Sequence, residues 1–103
     1  MAGSTADTRR HFEHGQVDIS TAGTRERIKR LVGNAVLTIR ANTGNAGDVY
    51  VGNEDVDSSN GFILGPGESI ELIFNHHRDR NEYLDIHVDV ATSGDDISYI
   101  YIE

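Results

Sequence analysis

The chain has 103 residues, of which 17 are acidic and 9 are basic, and it contains no cysteine. A chain of this length forms one domain and buries roughly two thirds of its unfolded surface, so contacts with neighbouring subunits are expected to matter for stability. The lack of cysteine excludes disulfides, thiolate metal sites and cysteine nucleophiles. No apolar run reaches the roughly 20 residues of a membrane span, and residues 1–11 lack the apolar stretch of a signal peptide. We therefore expect a soluble protein that contacts no membrane and is not exported by the usual route.

Charge is distributed unevenly along the chain. The formal net charge of −8 argues against general nucleic-acid binding, because neutralising phosphates requires clustered lysine and arginine. Residues 1–40 carry a net charge of +3, whereas residues 41–103 carry −11. This asymmetry predicts one basic and one acidic surface, which suits contacts between protein subunits. The acidic, lysine-poor composition fits a host that lives in high salt, and a GC-rich genome would produce the same bias.

The residue pattern predicts strands that follow an N-terminal arm. Residues 1–11 are small and polar without periodicity, so we expect an extended arm there and a single β-sandwich domain over residues 12–103. From residue 16 onward apolar residues recur with a period of two, the pattern of half-buried strands. The last predicted strand, 97–102, is apolar on both faces, as in a central strand or a subunit interface. Other strands are predicted at 17–20, 35–41, 49–51, 69–74 and 83–90, with 25–31 either a strand or one helical turn.

Turn residues separate these strands. A turn is predicted at 21–24, Asn60-Gly61 favours a type I′ hairpin, and Gly65-Pro66-Gly67 favours a type II turn. Residues 93–96 are expected to link the last two strands. The regular spacing of strands, without a helical period of useful length, predicts an all-β fold. The expected architecture is an antiparallel β-sandwich or jelly-roll-like barrel of about seven or eight strands.

Histidine and acidic residues are the candidate metal ligands. Asp85, His87 and Asp89 share one strand face, but zinc needs three or four converging ligands, so a solvated polar face is favoured. The pair at 76–77 is expected in a surface loop. Residues 53–61 resemble a calcium loop in composition but lack the spacing of an EF-hand, which favours an ordinary acidic loop. We therefore expect no metal and no cofactor.

Catalytic motifs are also missing from the sequence. It contains no Gly-x-Ser-x-Gly elbow and no phosphate-cradling loop, since the Gly65-Pro66-Gly67 turn precedes no predicted helix. Close carboxylate pairs are expected by chance in a chain this acidic, so they do not indicate a glycosidase. The sequence predicts a protein that is not an enzyme.

One basic run opposes the overall sign of the charge and consists of Arg25, Arg27, Lys29 and Arg30. Positive charge along a strand edge discourages aggregation between edges. The same residues could instead dock onto an acidic partner, including the acidic half of an identical subunit. Both interpretations remain open at this level.

Four segments, 49–52, 60–64, 66–72 and 97–101, follow one another in a distinctive order. Over residues 16–103 this order resembles a family of small all-β virion structural proteins of tailed bacterial and archaeal viruses. It implies a capsid decoration protein, a turret or head-fibre base, or a neck or tail accessory, with no catalytic residues. The basic residues 25–30 and the charged residues 75–82 depart from the family pattern, so the position on the particle stays open.

The resemblance also implies partners. It predicts a homo-oligomer, with a trimer favoured over a pentamer, that clamps neighbouring subunits of the major capsid protein on the virion, with a halophilic archaeal virus as one possible source. One alternative is a fibre-associated carbohydrate-binding β-sandwich that uses an exposed tyrosine row, and another is a cupin-type metal enzyme. The interface residues expected from the sequence are Arg9, Arg10, Arg25, Arg27, Lys29, Arg30, Tyr50, Tyr99 and Tyr101.

Overall fold

The computed structural model describes residues 10–75 and 82–103, which form two four-stranded antiparallel sheets. The first sheet has the strand order β1-β8-β3-β6, and the second has the order β2-β7-β4-β5. The predicted all-β sandwich is therefore confirmed. The strands are β1 (Phe12–Asp18), β2 (Glu26–Val32), β3 (Asn34–Ala41), β4 (Val49–Gly52), β5 (Phe62–Leu64), β6 (Ser69–Asn75), β7 (Tyr83–Val90) and β8 (Asp96–Ile102).

The first strand begins earlier than the sequence pattern predicts. It starts at Phe12 rather than near residue 17, and the backbones of His11 and Glu103 extend its ladder with two reciprocal hydrogen bonds of 3.2 and 3.0 Å. The predicted arm over residues 1–11 thus contains His11 as a paired residue, while residues 1–9 lie outside the described part of the chain. The alternation of apolar and polar residues does not extend to the start of β1, because its inner face carries Glu13 and Gly15 there instead of apolar side chains.

The core lies between the inner faces of the two sheets. Successive side chains of a strand point to opposite faces, so Leu37 and Ile39 of β3 reach the interior together with Ile97 of β8. Val49 of β4 and Val88 of β7 face them from the second sheet, and all five side chains are fully buried. Burying a side chain of this kind contributes roughly 1.5–3 kcal/mol, so the core supplies the main stabilisation.

Strand β2 resolves the ambiguity over residues 25–31, because the strand is confirmed and the helical turn is wrong. Its pairing with β7 shifts register between Arg27 and Lys29. Such a bulge inserts one extra residue into the edge strand. As a result Ile28 packs against the core, and Lys29 reaches the Glu13 carboxylate of β1.

Two predicted turns had different outcomes. The type II turn is confirmed, because Glu68 N–H donates to the Gly65 carbonyl at 2.9 Å and Gly67 has a φ of 86°. The type I′ hairpin at Asn60-Gly61 is wrong, since a nine-residue loop, 53–61, joins β4 to β5 and Gly61 has no positive φ. Gly61 is required there by space, because a Cβ would lie 2.6 Å from Cβ of Tyr50.

A buried polar network anchors the loop 42–47. The Asp95 carboxylate accepts hydrogen bonds from Ala46 N–H at 3.0 Å and Gly47 N–H at 2.9 Å. Beside it, the Asn45 side chain donates to the Asp96 carbonyl at 2.8 Å and accepts from the Asp96 N–H at 2.9 Å. Because Asn45 and Asp95 are both buried, these bonds tie the loop firmly to the turn before β8.

We predict that Asp95→Ala lowers the free energy of unfolding by about 2–3 kcal/mol, because two loop N–H groups lose a charged acceptor. Urea denaturation followed by circular dichroism measures the change. Asp18→Ala, at an exposed position of β1, is the control and should stay within about 0.5 kcal/mol of the wild type. Equal losses for the two variants would contradict the anchoring role of Asp95.

Candidate interaction surface

The outer face of the first sheet exposes a row of apolar side chains across all four strands. Strand register aligns Phe12 with Ile102, Ile102 with Val36, and Val36 with Ile73. Phe12 is 59% exposed and Ile73 63%, while Ile102 is exposed and Val36 half-buried. Ile100, which is 45% exposed, adjoins this row on β8. We refer to these five residues as the apolar row.

The apolar row is large for a small domain. A fully exposed side chain of this size presents roughly 150–200 Å², so the row leaves on the order of 400 Å² of apolar area open to solvent. Exposed patches of this extent commonly mark protein contacts. The row is therefore the strongest candidate for an interaction surface on the described part of the chain.

Polar residues border the row on one side. His14, Thr38 and Glu71 share a register line with Ile100, and Arg40 lies on the following line. Neither Arg40 nor Glu71 forms a salt bridge within residues 10–75 and 82–103. The face thus presents one positive and one negative side chain without a salt-bridge partner in that part of the chain.

The structure divides the predicted basic run. Arg30 makes two hydrogen bonds to the Asp85 carboxylate, at 2.8 and 3.0 Å, and its guanidinium lies 3.9 Å from the centre of the Tyr83 ring. Arg27 lies 3.6 Å from the same carboxylate, and Arg30 lowers the pKa of Asp85. Lys29 points into the sandwich instead. Three of the four residues of the run therefore have partners within the chain.

Arg25 and Arg10, two further predicted interface residues, have different neighbours. Arg25 is exposed and lies near enough to the acidic loop 53–61 to lower the pKa of Asp57, after the larger effect of hydrogen bonds from Ser59. Arg10 is exposed and donates to the Asn34 carbonyl at 3.2 Å. Arg9 lies outside the described residues. The contacts of Arg10 and Arg25 therefore differ from the contacts that Arg27 and Arg30 make with Asp85.

An ion pair closes the sandwich between β1 and β2. Lys29 Nζ donates to Glu13 Oε1 at 2.9 Å, and the Tyr99 hydroxyl donates to Glu13 Oε2 at 2.8 Å. Lys29 Nζ also lies 4.4 Å from the centre of the Tyr101 ring. The Lys29 ammonium and then the Tyr99 hydroxyl lower the pKa of Glu13 to about 2. We call this group, Glu13, Lys29, Tyr99 and Tyr101, the charged seam.

The predicted aromatic face of Tyr50, Tyr99 and Tyr101 does not form. Tyr101 is 1% exposed, and the half-buried Tyr99 lies beside it on the inner face of β8. Tyr50 is 8% exposed and packs on the outer side of the second sheet beneath the loop 53–61. Tyr83 is exposed but stands alone with Arg30 over its ring, so the described residues contain no tyrosine row for a carbohydrate.

The acidic strand β7 also differs from its prediction. Asp85, His87 and Asp89 do share the outer face of the second sheet, but Asp89 is only 2% exposed rather than solvated. The turn at 21–24 covers Asp89, which accepts a 2.9 Å hydrogen bond from Gly23 N–H. Nδ1 of His87 is buried and has no hydrogen-bond partner among the described residues.

Metal-ligating groups do not converge. Within residues 10–75 and 82–103, no three His, Asp or Glu side chains lie close enough together to hold an ion. In the loop 53–61, Asp57 instead accepts hydrogen bonds from the Ser59 N–H and hydroxyl, at 2.9 and 2.7 Å. Residues 76–77 fall outside the described part of the chain. Over the described ranges, no helix has the length and apolarity needed to cross a bilayer.

Comparisons with known proteins assign no family. No family model and no curated protein matches the chain. One similar solved structure is titled "Bacillus endospore appendages form a novel family of disulfide-linked pili" and has a TM-score of 0.47 and 12% sequence identity. The match covers 97% of this chain and 93% of that chain, but a similarity this low assigns no function. The comparisons give no support for the tailed-virus origin that the motif order implies.

Sequence reasoning missed the apolar row as a site. One signal was present, because 97–102 is apolar on both faces, as in a central or interfacial strand. Phe12 lay beside the predicted arm, and Ile73 stood alone among polar residues on its face of β6. Only the pairing of four strands places these residues in one line.

We predict that Glu13→Gln lowers the free energy of unfolding at pH 7 by about 1–2 kcal/mol, because Lys29 loses a charged partner at a partly exposed site. The pKa of Glu13 falls from 4.5 to about 2 on folding, so its stabilisation is complete above pH 4.5 and is lost as the pH falls through 2. Urea denaturation from pH 7 to pH 2 should therefore show the wild type and the variant converging.

The matched control for this prediction is Glu71→Gln, at an exposed position on the outer face of β6. Its effect should be small and nearly independent of pH. A Glu13→Gln deficit that persists unchanged at pH 2 would show that the charge on Glu13 is not the source of the stabilisation.

Proposed function

We propose that this protein is a non-enzymatic structural subunit that assembles with further copies of itself through the outer face of the first sheet. The apolar row is the observation that carries this proposal. Its five members are contributed by all four strands of one sheet, so the row is a property of the folded domain and not of a loose terminus. Covering it would remove most of an apolar patch of about 400 Å² from water.

Two side chains of opposite charge beside the apolar row favour a second copy as the occupant, although the net charge of the chain opposes it. Each copy carries a formal charge of −8, so two copies repel each other over most of their surface. The apolar row instead adjoins Arg40 and Glu71, which have opposite signs and no salt-bridge partner among the described residues. Two copies that meet here can pair Arg40 of each with Glu71 of the other.

The area of the face is adequate for a specific contact. A standard interface buries about 800 Å² on each partner, and the apolar row supplies roughly half of that. The bordering side chains of His14, Thr38 and Arg40 would provide a polar rim. A contact of this size is moderate, so we expect repeated contacts between several subunits to hold the assembly together.

The order of the sequence motifs supports a finer version of the proposal, in which the assembly is an accessory of a tailed-virus particle. In that version the protein decorates the capsid surface and clamps subunits of the major capsid protein, with the neck or tail as the alternative position. Many moderate contacts per oligomer would then combine into a slowly released clamp.

We predict that Ile100→Lys, and separately Phe12→Lys, lowers the mass of the assembly measured by light scattering after size exclusion by half or more. Each change places an ammonium in the contact face without disturbing the core, since both side chains are exposed. Ile63→Lys is the matched control, because Ile63 is 56% exposed on the second sheet. A monomeric wild type, or equal loss with Ile63→Lys, would contradict the proposal.

The virion version has its own measurement. Antibodies raised against the recombinant protein should label the surface of purified virus particles in electron micrographs. Labelled particles support the finer proposal and show whether the capsid or the tail carries the protein. Particles that lack the protein by both labelling and mass spectrometry contradict it, while leaving the self-assembly proposal intact.

A further inference from the structure

The four sheet edges of the sandwich differ in how well they are protected against pairing with a strand of another chain. Strand β2 carries a bulge and exposed arginines, β5 has only three residues, and β1 turns Glu13 inward to Lys29. Each of these features discourages pairing with another chain. Strand β6 has seven residues, a regular register with β3, no proline and a single charge, Glu71. Within the described residues it pairs with β3 alone, so its other side is an unprotected edge.

An apolar groove opens beside this edge. Because β5 is short, it covers little of the inner face of β6, and Ile70 and Leu72 remain only half-buried. They line a groove of about 330 Å³ together with Phe62 and Leu84, which are 58% and 45% exposed. The same side of the sandwich therefore combines a strand edge that no other described strand covers with an open apolar groove.

We propose that β6 pairs antiparallel with β6 of a second copy around a two-fold axis at Leu72, which joins two first sheets into one sheet of eight strands. The proposal goes beyond the outer-face contact because it uses backbone hydrogen bonds at a different surface. An added strand supplies the hydrogen bonds that an open edge lacks. Under two-fold symmetry, β6 of each copy is the added strand for β6 of the other.

The sequence of β6 is self-complementary in this register. Leu72 lies opposite its own copy and Ile70 lies opposite Phe74, so the inner face of the new pair is entirely apolar. On the outer face Glu71 lies opposite Ile73, which keeps the two Glu71 carboxylates from facing each other. A register centred on Glu71 would oppose them directly, and like charges directly opposite are destabilising. The Leu72-centred register also pairs all seven residues of the strand.

The groove gives a second reason for a copy of this chain to be the occupant. A partner related by the two-fold axis brings its own groove to the same side, so the exposed Phe62 and Leu84 of both copies are brought together. The apolar interior of each copy then faces apolar side chains instead of water.

The absence of cysteine allows a direct test by cross-linking. Glu71→Cys and Ile73→Cys change exposed side chains on the outer face of β6, so neither removes core packing. Directly opposed residues of an antiparallel pair have Cα atoms about 4.5–5.5 Å apart, which suits a disulfide, whereas diagonal neighbours are too distant. We therefore expect a mixture of the two variants to form disulfide-linked dimers under mild oxidation, while each variant alone stays uncrosslinked.

The matched control mixes Ser69→Cys with Ile73→Cys, which lie on the same face but are displaced along the strand in this register. We expect no cross-linked dimer from this mixture. Efficient cross-linking of the control, or of Ile73→Cys with itself, would overturn the Leu72-centred pairing.

Repeating the experiment in an Ile100→Lys background separates this inference from the proposed function. We expect the mixed disulfide to persist there, because Ile100 lies two strands away from β6 in the sheet. If Ile100→Lys reduces the assembly but the mixed disulfide never forms, the edge pairing is overturned and the outer-face contact stands. If the disulfide forms while Ile100→Lys changes nothing, the edge pairing stands and the outer-face contact is wrong.

Discussion

The packing of β3 and β8 against the second sheet is the interaction on which the rest of the molecule depends. These central strands place Leu37, Ile39 and Ile97 in the core, where their side chains are fully buried. Side chains alternate between the two faces of a strand, so the residues that point into the core also determine which residues lie on the outer face. Ile100 and Ile102 are exposed because they alternate with Tyr99 and Tyr101, which occupy inner positions of β8.

The two open sides of the sandwich, where the sheet edges meet, differ in the interactions found there. Between β1 and β2 the charged seam fills the gap, with Glu13 held ionised by Lys29 and Tyr99. On the opposite side β5 is too short to cover the inner face of β6, so an apolar groove remains. One side is thus sealed by contacts within the described chain, while the other leaves apolar side chains exposed beside a strand edge. The proposed edge pairing uses this second side.

Several local features were predictable from residue chemistry. The Pro66-Gly67 pair specifies a type II turn because proline presets the first central φ and glycine accepts a positive one. The alternation through β3 and β7 predicts their faces correctly. Features that depend on distant contacts were not predictable, and Asp89 is an example. The alternation along β7 predicts that Asp89 lies on a polar face. Its burial, however, results from the turn that brings Gly23 N–H to its carboxylate.

By itself the sequence determined an all-β fold, most of its strands and the alternation of inner and outer residues along β3 and β7, because these properties follow from short-range periodicity and turn chemistry. Only the tertiary structure decided which of the two apolar faces of β8 is buried and that Phe12 and Ile73 lie in one line. The register of β8 with β3 places Tyr101 opposite Leu37 and Ile100 opposite Thr38. Pairing between strands far apart in the chain sets that register, and periodicity within one strand carries no information about it.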